Sequence, residues 1–241
     1  MANDLWQLYI SSLPLLLKGC VITIYVSLIG IFCGLFFGIL VGIFDCQKLK
    51  MRYVSPFFRI YITIFRGTPL FVQIFIWYFV WFPILINPTD GLLISGDAAM
   101  ELRRNYGALI AGTLALSVNA GAYITEIFRA GIQSIDRGQV EAARSLGLSY
   151  PQAMRHIILP QAVRRMLPPF GNEFITLLKD SSLVSAIAVA ELAFVARSVA
   201  GRYSVYEEPY YTIALIYLVM TMGLSWLFSW LEKRYNTGYE R

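Results

Sequence analysis

The 34 residues from Tyr53 to Ile86 are almost continuously apolar. A straight helix of that length would reach about 51 Å, against about 30 Å for the hydrocarbon core of a bilayer. The excess calls for a break, and one is written at Arg66-Gly67-Thr68-Pro69. Gly67 frees the backbone, Thr68 offers a capping hydroxyl, and Pro69 suits the first position of a new helix. The segment is therefore expected to cross a membrane as two helices that meet at residues 66–69.

Comparable apolar runs at about 19–44, 106–128, 169–189 and 210–231 bring the expected spans to five. Composition agrees, with 57% hydrophobic and 15% charged residues, where a soluble domain carries roughly a quarter charged. The net charge of +5 does not indicate nucleic acid, because the basic residues gather in loops beside apolar runs. One inner loop has Lys48, Lys50, Arg52, Arg59 and Arg66 in or near it; the other has Arg129, Arg137, Arg144, Arg155, Arg164 and Arg165. The outer loops hold only Arg103, Arg104, Arg197 and Arg202. This asymmetry puts the N-terminus outside and the C-terminus in the cytoplasm. The fold class expected is thus an all-α integral membrane protein, with residues 1–241 forming a single transmembrane domain.

Smaller features fill in that plan. Leu5 to Leu17, with Trp6 and Tyr9, read as a short interfacial helix on the outer surface. No cleavable signal peptide is expected, since the first basic residue is Lys18 and Asp4 is acidic. Asn87 to Asn105 read as an external loop, as does the segment holding Glu191, Arg197, Arg202, Glu207 and Glu208. Gly30, Gly34, Gly38 and Gly42 recur every four residues and form a smooth face for close helix packing, within the subunit or between subunits.

The inner segment 136–167 is polar and reads as a helical hairpin. Asp136 with Gln139, and Ser149 with Gln152, have the spacing of helix-starting capping boxes. Gly147 is placed to end the first helix in a left-handed turn. The second helix is expected to stop near Leu159, because Pro160 disfavours continuation, and Pro168-Pro169 then opens the fourth span. A rigid hairpin on one face of a membrane protein is a docking element.

Polar residues inside the spans are the candidates for handling a solute. Asn172, Glu173, Thr176, Lys179 and Asp180 fall within an arc of about 120° on one helix face. Lys179 lies about 15 Å beyond Pro169, near mid-bilayer, where ionisable groups are expensive and face a cavity or another protein surface. Two readings stand. Lys179 and Asp180 meet the carboxylate and ammonium of an amino acid, or the stripe is a structural network between spans or subunits. A helix starting at Thr68-Pro69-Leu70 inside the membrane would aim N–H groups at a substrate carboxylate. Arg66 adds charge there or snorkels to the surface. Ser117 and Asn119 are weaker candidates, since small polar residues often tie helices together. Glu126 is expected to pair with Arg129 or a nearby loop arginine.

Glu141-Ala142-Ala143, three residues, Gly147, nine residues, then Ile157-x-Leu159-Pro160 resembles the EAA loop of permease subunits of bacterial ABC importers. Arg66 to Gln73, Tyr123 to Arg129, Gly131 to Ile135, Gly138-Gln139 and Leu178 to Leu183 narrow the resemblance to the polar amino-acid branch, over roughly Tyr53 to Leu192. The loop 87–105 is longer than that branch leads one to expect. The resemblance implies a type I importer permease in a bacterial inner membrane. Its coupling residues would be Glu141, Ala142, Ala143, Gly147, Leu159 and Pro160. It also implies a cytoplasmic ATP-binding subunit dimer carrying ATP and magnesium, a second permease chain of the same or a sister kind, and a periplasmic or lipid-anchored solute-binding protein.

Several classes are disfavoured by the residues alone. The chain has no Gly-x-x-x-x-Gly-Lys-[Ser/Thr] loop, so ATP hydrolysis and its cofactors belong to a partner. Cys20, Cys33 and Cys46 stand 13 apart, about 20 Å along a helix, too far for a disulfide limited to about 7 Å. A single histidine, His156, and separated cysteines leave a membrane-embedded enzyme poorly equipped. The alternative that remains is an ATP-independent secondary transporter or channel, against which the lack of an inverted repeat argues.

Overall fold

The computed structural model describes residues 2–45 and 55–236. Cys46, Lys48, Lys50, Arg52 and Tyr53, and the tail beyond Asn236, lie outside the described residues. The regular elements among those described are helices, apart from an isolated bridge between Ile86 and Ile94. Helix α1 runs from Ala2 to Asp45 without interruption, through Pro14. The expected interfacial helix and first span are one rod, because a proline about one-third of the way along a long helix removes a hydrogen bond without ending the helix when the turns on both sides are held.

Helix α2 (Ser55–Gly67) and α3 (Leu70–Leu85) meet at an angle of 111°, so the break at Thr68-Pro69 is a corner. A π-turn at Trp77–Trp81 interrupts α3. Helix α4 (Gly96–Gln133) begins ten residues before the expected third span, with Ser95 at its N-cap and Asp97 in its first turn. The loop before it is short and closed by its own backbone, with Leu92 and Leu93 donating to Ile84 and Leu85 carbonyls and Gly96 to Pro88. It presents exposed Leu92 and Leu93.

Helix α4 is the centre of the molecule, with Ala111, Ala115, Leu116, Ala120 and Ile124 fully or almost fully buried. Small residues let α1 approach it closely. A methyl added at Gly34 would lie 2.8 Å from the Ala120 Cβ, one at Gly38 2.7 Å from the Gly121 carbonyl oxygen, and one at Gly42 2.7 Å from Phe128. The glycine face is thereby spent on packing inside the subunit.

Helix α5 (Arg137–Ser145) and the start of α6 (Tyr150–Ile187) make the hairpin. Helix α6 does not stop at Pro160, and Pro168-Pro169 opens no new helix. The chain stays helical from Tyr150 through a π-turn at Met154–Ile158, on through all three prolines to Asp180, and closes in a 3₁₀ stretch at Ser181–Ile187. Proline deprives the helix of a donor and crowds the carbonyl four residues back. The wider π-turn before Pro160 is a place where a helix absorbs such a fault. Helix α7 (Leu192–Tyr203) follows at a 48° bend, and α8 (Glu207–Asn236) leaves most of its apolar surface uncovered. Three helices are long and apolar enough to cross a membrane, or up to five spans exist if each bent pair counts as one.

Candidate functional site

The corner between α2 and α3 is a closed hydrogen-bonded joint. Thr68 Oγ1 donates to the Ile64 carbonyl at 2.8 Å and accepts from Gln73 Nε2 at 2.9 Å. The same Gln73 nitrogen donates to the carbonyls of Phe65 and Thr68 at 2.9 and 3.0 Å. From α4, Asn119 Nδ2 reaches the Phe65 carbonyl at 3.1 Å and Gln73 Oε1 at 3.0 Å. This corrects two expectations. Pro69, not Thr68, is the N-cap of α3, with extended backbone, and the Thr68 hydroxyl finishes α2 instead of opening α3. Leu70 is the first residue of α3 and half-buried. Asn119 braces the corner, while Ser117 turns its hydroxyl back to the Thr113 carbonyl at 2.7 Å.

One turn back from the joint, Arg66 pairs with Glu126 at 3.3 Å and stacks over the Tyr123 ring at 5.3 Å. Glu126 also holds Arg129 by two bonds, of 3.1 and 2.6 Å. The Glu126–Arg129 pair was legible as an i, i+3 contact; the share taken by Arg66 joins residues sixty apart. The helix that carries the predicted stripe meets the start of α3 in the core, where Leu70, Phe170, Phe174 and Leu177 share one apolar cluster. Glu173 and Asp180 are half-buried, and Asn172, Thr176 and Lys179 are exposed.

The hairpin is fixed from within. Asp136 accepts from the Gly138 amide at 2.6 Å to start α5. Gly147 sits at φ +81, and the bonds from Gly147 N to Arg144 O (2.9 Å) and from Leu148 N to Ala143 O (3.1 Å) form a Schellman stop. Gln152 accepts from the Ser149 amide at 2.8 Å to start the next helix. Ala143 and Ala153 are buried against each other's helices, and Ile158, Ala162 and Met166 fasten the hairpin to Phe128 and Ile135. Glu141, Ala142 and Leu146 face outward, Leu146 with 81% of its surface exposed. Leu159 is half-buried, Pro160 exposed and His156 exposed. Of the six predicted coupling residues, Ala143 packs the hairpin together instead of presenting a surface.

Two residues that the sequence reading passed over are structurally central. Gln73 is the hub of the corner; a lone amide in an aromatic run was its only signal. Glu191, expected in an external segment, is fully buried. It caps α7 by accepting from Phe194 N at 2.8 Å, accepts from Tyr217 of α8 at 2.7 Å, and meets Thr23 of α1 at 3.5 Å. Among the described residues no group of three or more His, Cys, Asp and Glu side chains is placed to hold a metal ion.

A helical membrane bundle with a broken span and a projecting hairpin has the fold of the permease chains of ABC transporters. A solved structure of an amino acid ABC transporter with histidines matches it with a TM-score of 0.78 at 36% identity, over 93% of this chain and 96% of that one. Residues 34–237 match the family "Binding-protein-dependent transport system inner membrane component", and the chain belongs to that family. The probable glutamine ABC transporter permease protein GlnM of Bacillus subtilis is 40% identical over 179 residues, 74% of each chain. The glutamine transport system permease protein GlnP of Escherichia coli K12 is 34% identical over 230 residues, 95% of this chain and 96% of that one.

Proposed function

We propose that the chain is the translocating subunit of an ATP-driven importer that carries a polar amino acid from the periplasmic side of a bacterial inner membrane into the cytoplasm. The observation that carries this reading is the continuity of α6. One helix, about 45 Å long from Tyr150 to Asp180, has the hairpin at one end and Glu173, Thr176, Lys179 and Asp180 towards the other. Helices transmit displacement without deforming. A push on the exposed Glu141–Leu146 surface therefore moves the polar stripe against the corner at Thr68-Pro69.

In this reading the chain hydrolyses no ATP. The hairpin sits on a separate ATP-binding subunit, which binds ATP and magnesium, and a second permease chain completes the pathway. A solute-binding protein delivers the amino acid from outside. The charge asymmetry of the loops supports five spans in one domain, with the N-terminus outside and the C-terminus inside. The amino acid carried would be zwitterionic, its carboxylate drawn to the Arg66 and Lys179 side of the path and its ammonium to Glu173 and Asp180. The glutamine-linked names of the relatives support that class.

The test is substrate affinity in the reconstituted complex. Lys179→Ala and Asp180→Ala are each expected to weaken uptake of the preferred amino acid across a panel. Unaltered affinity in both would leave the stripe a structural network.

A further inference from the structure

A cavity of about 890 Å³ lies between α2, the end of α4 and the hairpin. Among its described lining residues four arginines, Arg59, Arg66, Arg129 and Arg137, stand against one carboxylate, Glu126. They come from three elements, so the clustering is a product of the fold and not of one basic run. Positive-inside bias explains arginines on this side of the membrane; it does not explain their convergence on one concavity.

Helix α2 sets the surroundings. Arg59, Thr63 and Arg66 recur at i, i+4 and i+7 and line the cavity, while Phe57, Ile60 and Ile64 are exposed on the opposite face. The helix therefore separates an apolar surface suited to acyl chains from a guanidinium-lined hollow. The hollow is itself mixed, since Ile62, Ile135 and Ile158 contribute an apolar floor. Glu126 orients the Arg66 and Arg129 groups. Arginine forks match phosphate oxygens two at a time. Basic pockets among membrane helices on the cytoplasmic side suit anionic headgroups.

We propose that this cavity binds the phosphate group of an acidic glycerophospholipid from the adjoining leaflet. A soluble phosphate would use the same arginines but leaves the apolar floor and the lipid-side face of α2 without a role. The assignment to the cytoplasmic leaflet rests on the orientation proposed above. The binding itself does not, because a nanodisc offers the same lipid in both leaflets.

The experiment uses the assembled transporter in phosphatidylcholine nanodiscs containing a minor fraction of phosphatidylglycerol. Lipid retained on release from the disc is read by native mass spectrometry. Arg59→Gln/Arg137→Gln is expected to lower phosphatidylglycerol retention at least about tenfold, the scale of losing charge-assisted hydrogen bonds. Arg155→Gln/Arg164→Gln, on exposed arginines outside the cavity, is expected to leave it unchanged. If the first variant does not fold, Arg59→Lys/Arg137→Lys keeps both charges without the forks and is expected to retain less lipid than wild type. Equal retention by wild type and the cavity variant overturns the proposal, as does an equal fall in both glutamine variants. Full displacement of phosphatidylglycerol by millimolar inorganic phosphate also overturns it, assigning the site to a soluble anion.

Discussion

Gln73 holds the broken span at its angle, and it does so from an almost fully buried position, with 4% of its surface exposed. Replacing it by leucine keeps the volume but strips the Phe65 and Thr68 carbonyls of a donor and the Asn119 amide of an acceptor. A buried polar group left unpaired costs about 1–3 kcal/mol. Gln73→Leu is expected to lower the melting temperature of the purified complex measurably and to impair transport, and an unchanged melt would show that the corner does not depend on this amide. Gly147 carries a different burden. Its φ of +81 is one that side chains resist by about 1–2 kcal/mol, and it ends α5 beside the exposed Leu146. Gly147→Asp is expected to abolish uptake while the chain still inserts in the membrane. Normal uptake by that variant would remove the hairpin from the coupling path. Both the corner and the hairpin turn were legible because glycine and proline act locally. The partners of Gln73 and Glu191 were not, since Asn119 and Thr23 lie 46 and 168 residues away.

At the scale of elements, periodicity told more than punctuation. The four-residue glycine repeat announced a close helix contact and delivered it between α1 and α4. Pro160 and Pro168-Pro169 announced helix ends, and the helix ran through them. The difference is physical: tertiary packing of Ile158, Ala162 and Met166 under the hairpin outweighs the few kcal/mol that a proline removes, and a π-turn takes up the distortion. The helix ends are also masked in α1 and α4, whose polar or interfacial first turns carry no breaker strong enough to separate them from the apolar run. The glycine contact yields the element-scale prediction. At Gly38 an added methyl would meet backbone oxygen and the Ile124 side chain at 2.7 Å, and overpacking of a tight core costs about 1–3 kcal/mol. Gly38→Val is expected to lower thermal stability and membrane yield, whereas Gly223→Val, with nothing near its added carbon, is expected to change neither. Equal effects at the two positions would contradict the close α1–α4 approach.

In the function proposed above, the whole molecule is a lever built on a bundle. Helix α4 is the fixed core and α1 its close-packed neighbour. The rod from Tyr150 to Ile187 joins the hairpin to the polar stripe, and in that proposed function it carries displacement from one to the other. Glu191 ties α1, α7 and α8 at the far end of that rod. The apolar stretches told the membrane class, which the family match supports. The pairing of Arg66 with Glu126 needed the fold. The most direct measurement of the central claim is uptake of labelled glutamine and other polar amino acids by proteoliposomes holding this chain, its ATP-binding subunit and its solute-binding protein. The account predicts accumulation above the external concentration that requires ATP on the hairpin side and is lost with Gly147→Asp. Uptake that proceeds without ATP or without the ATP-binding subunit would contradict it.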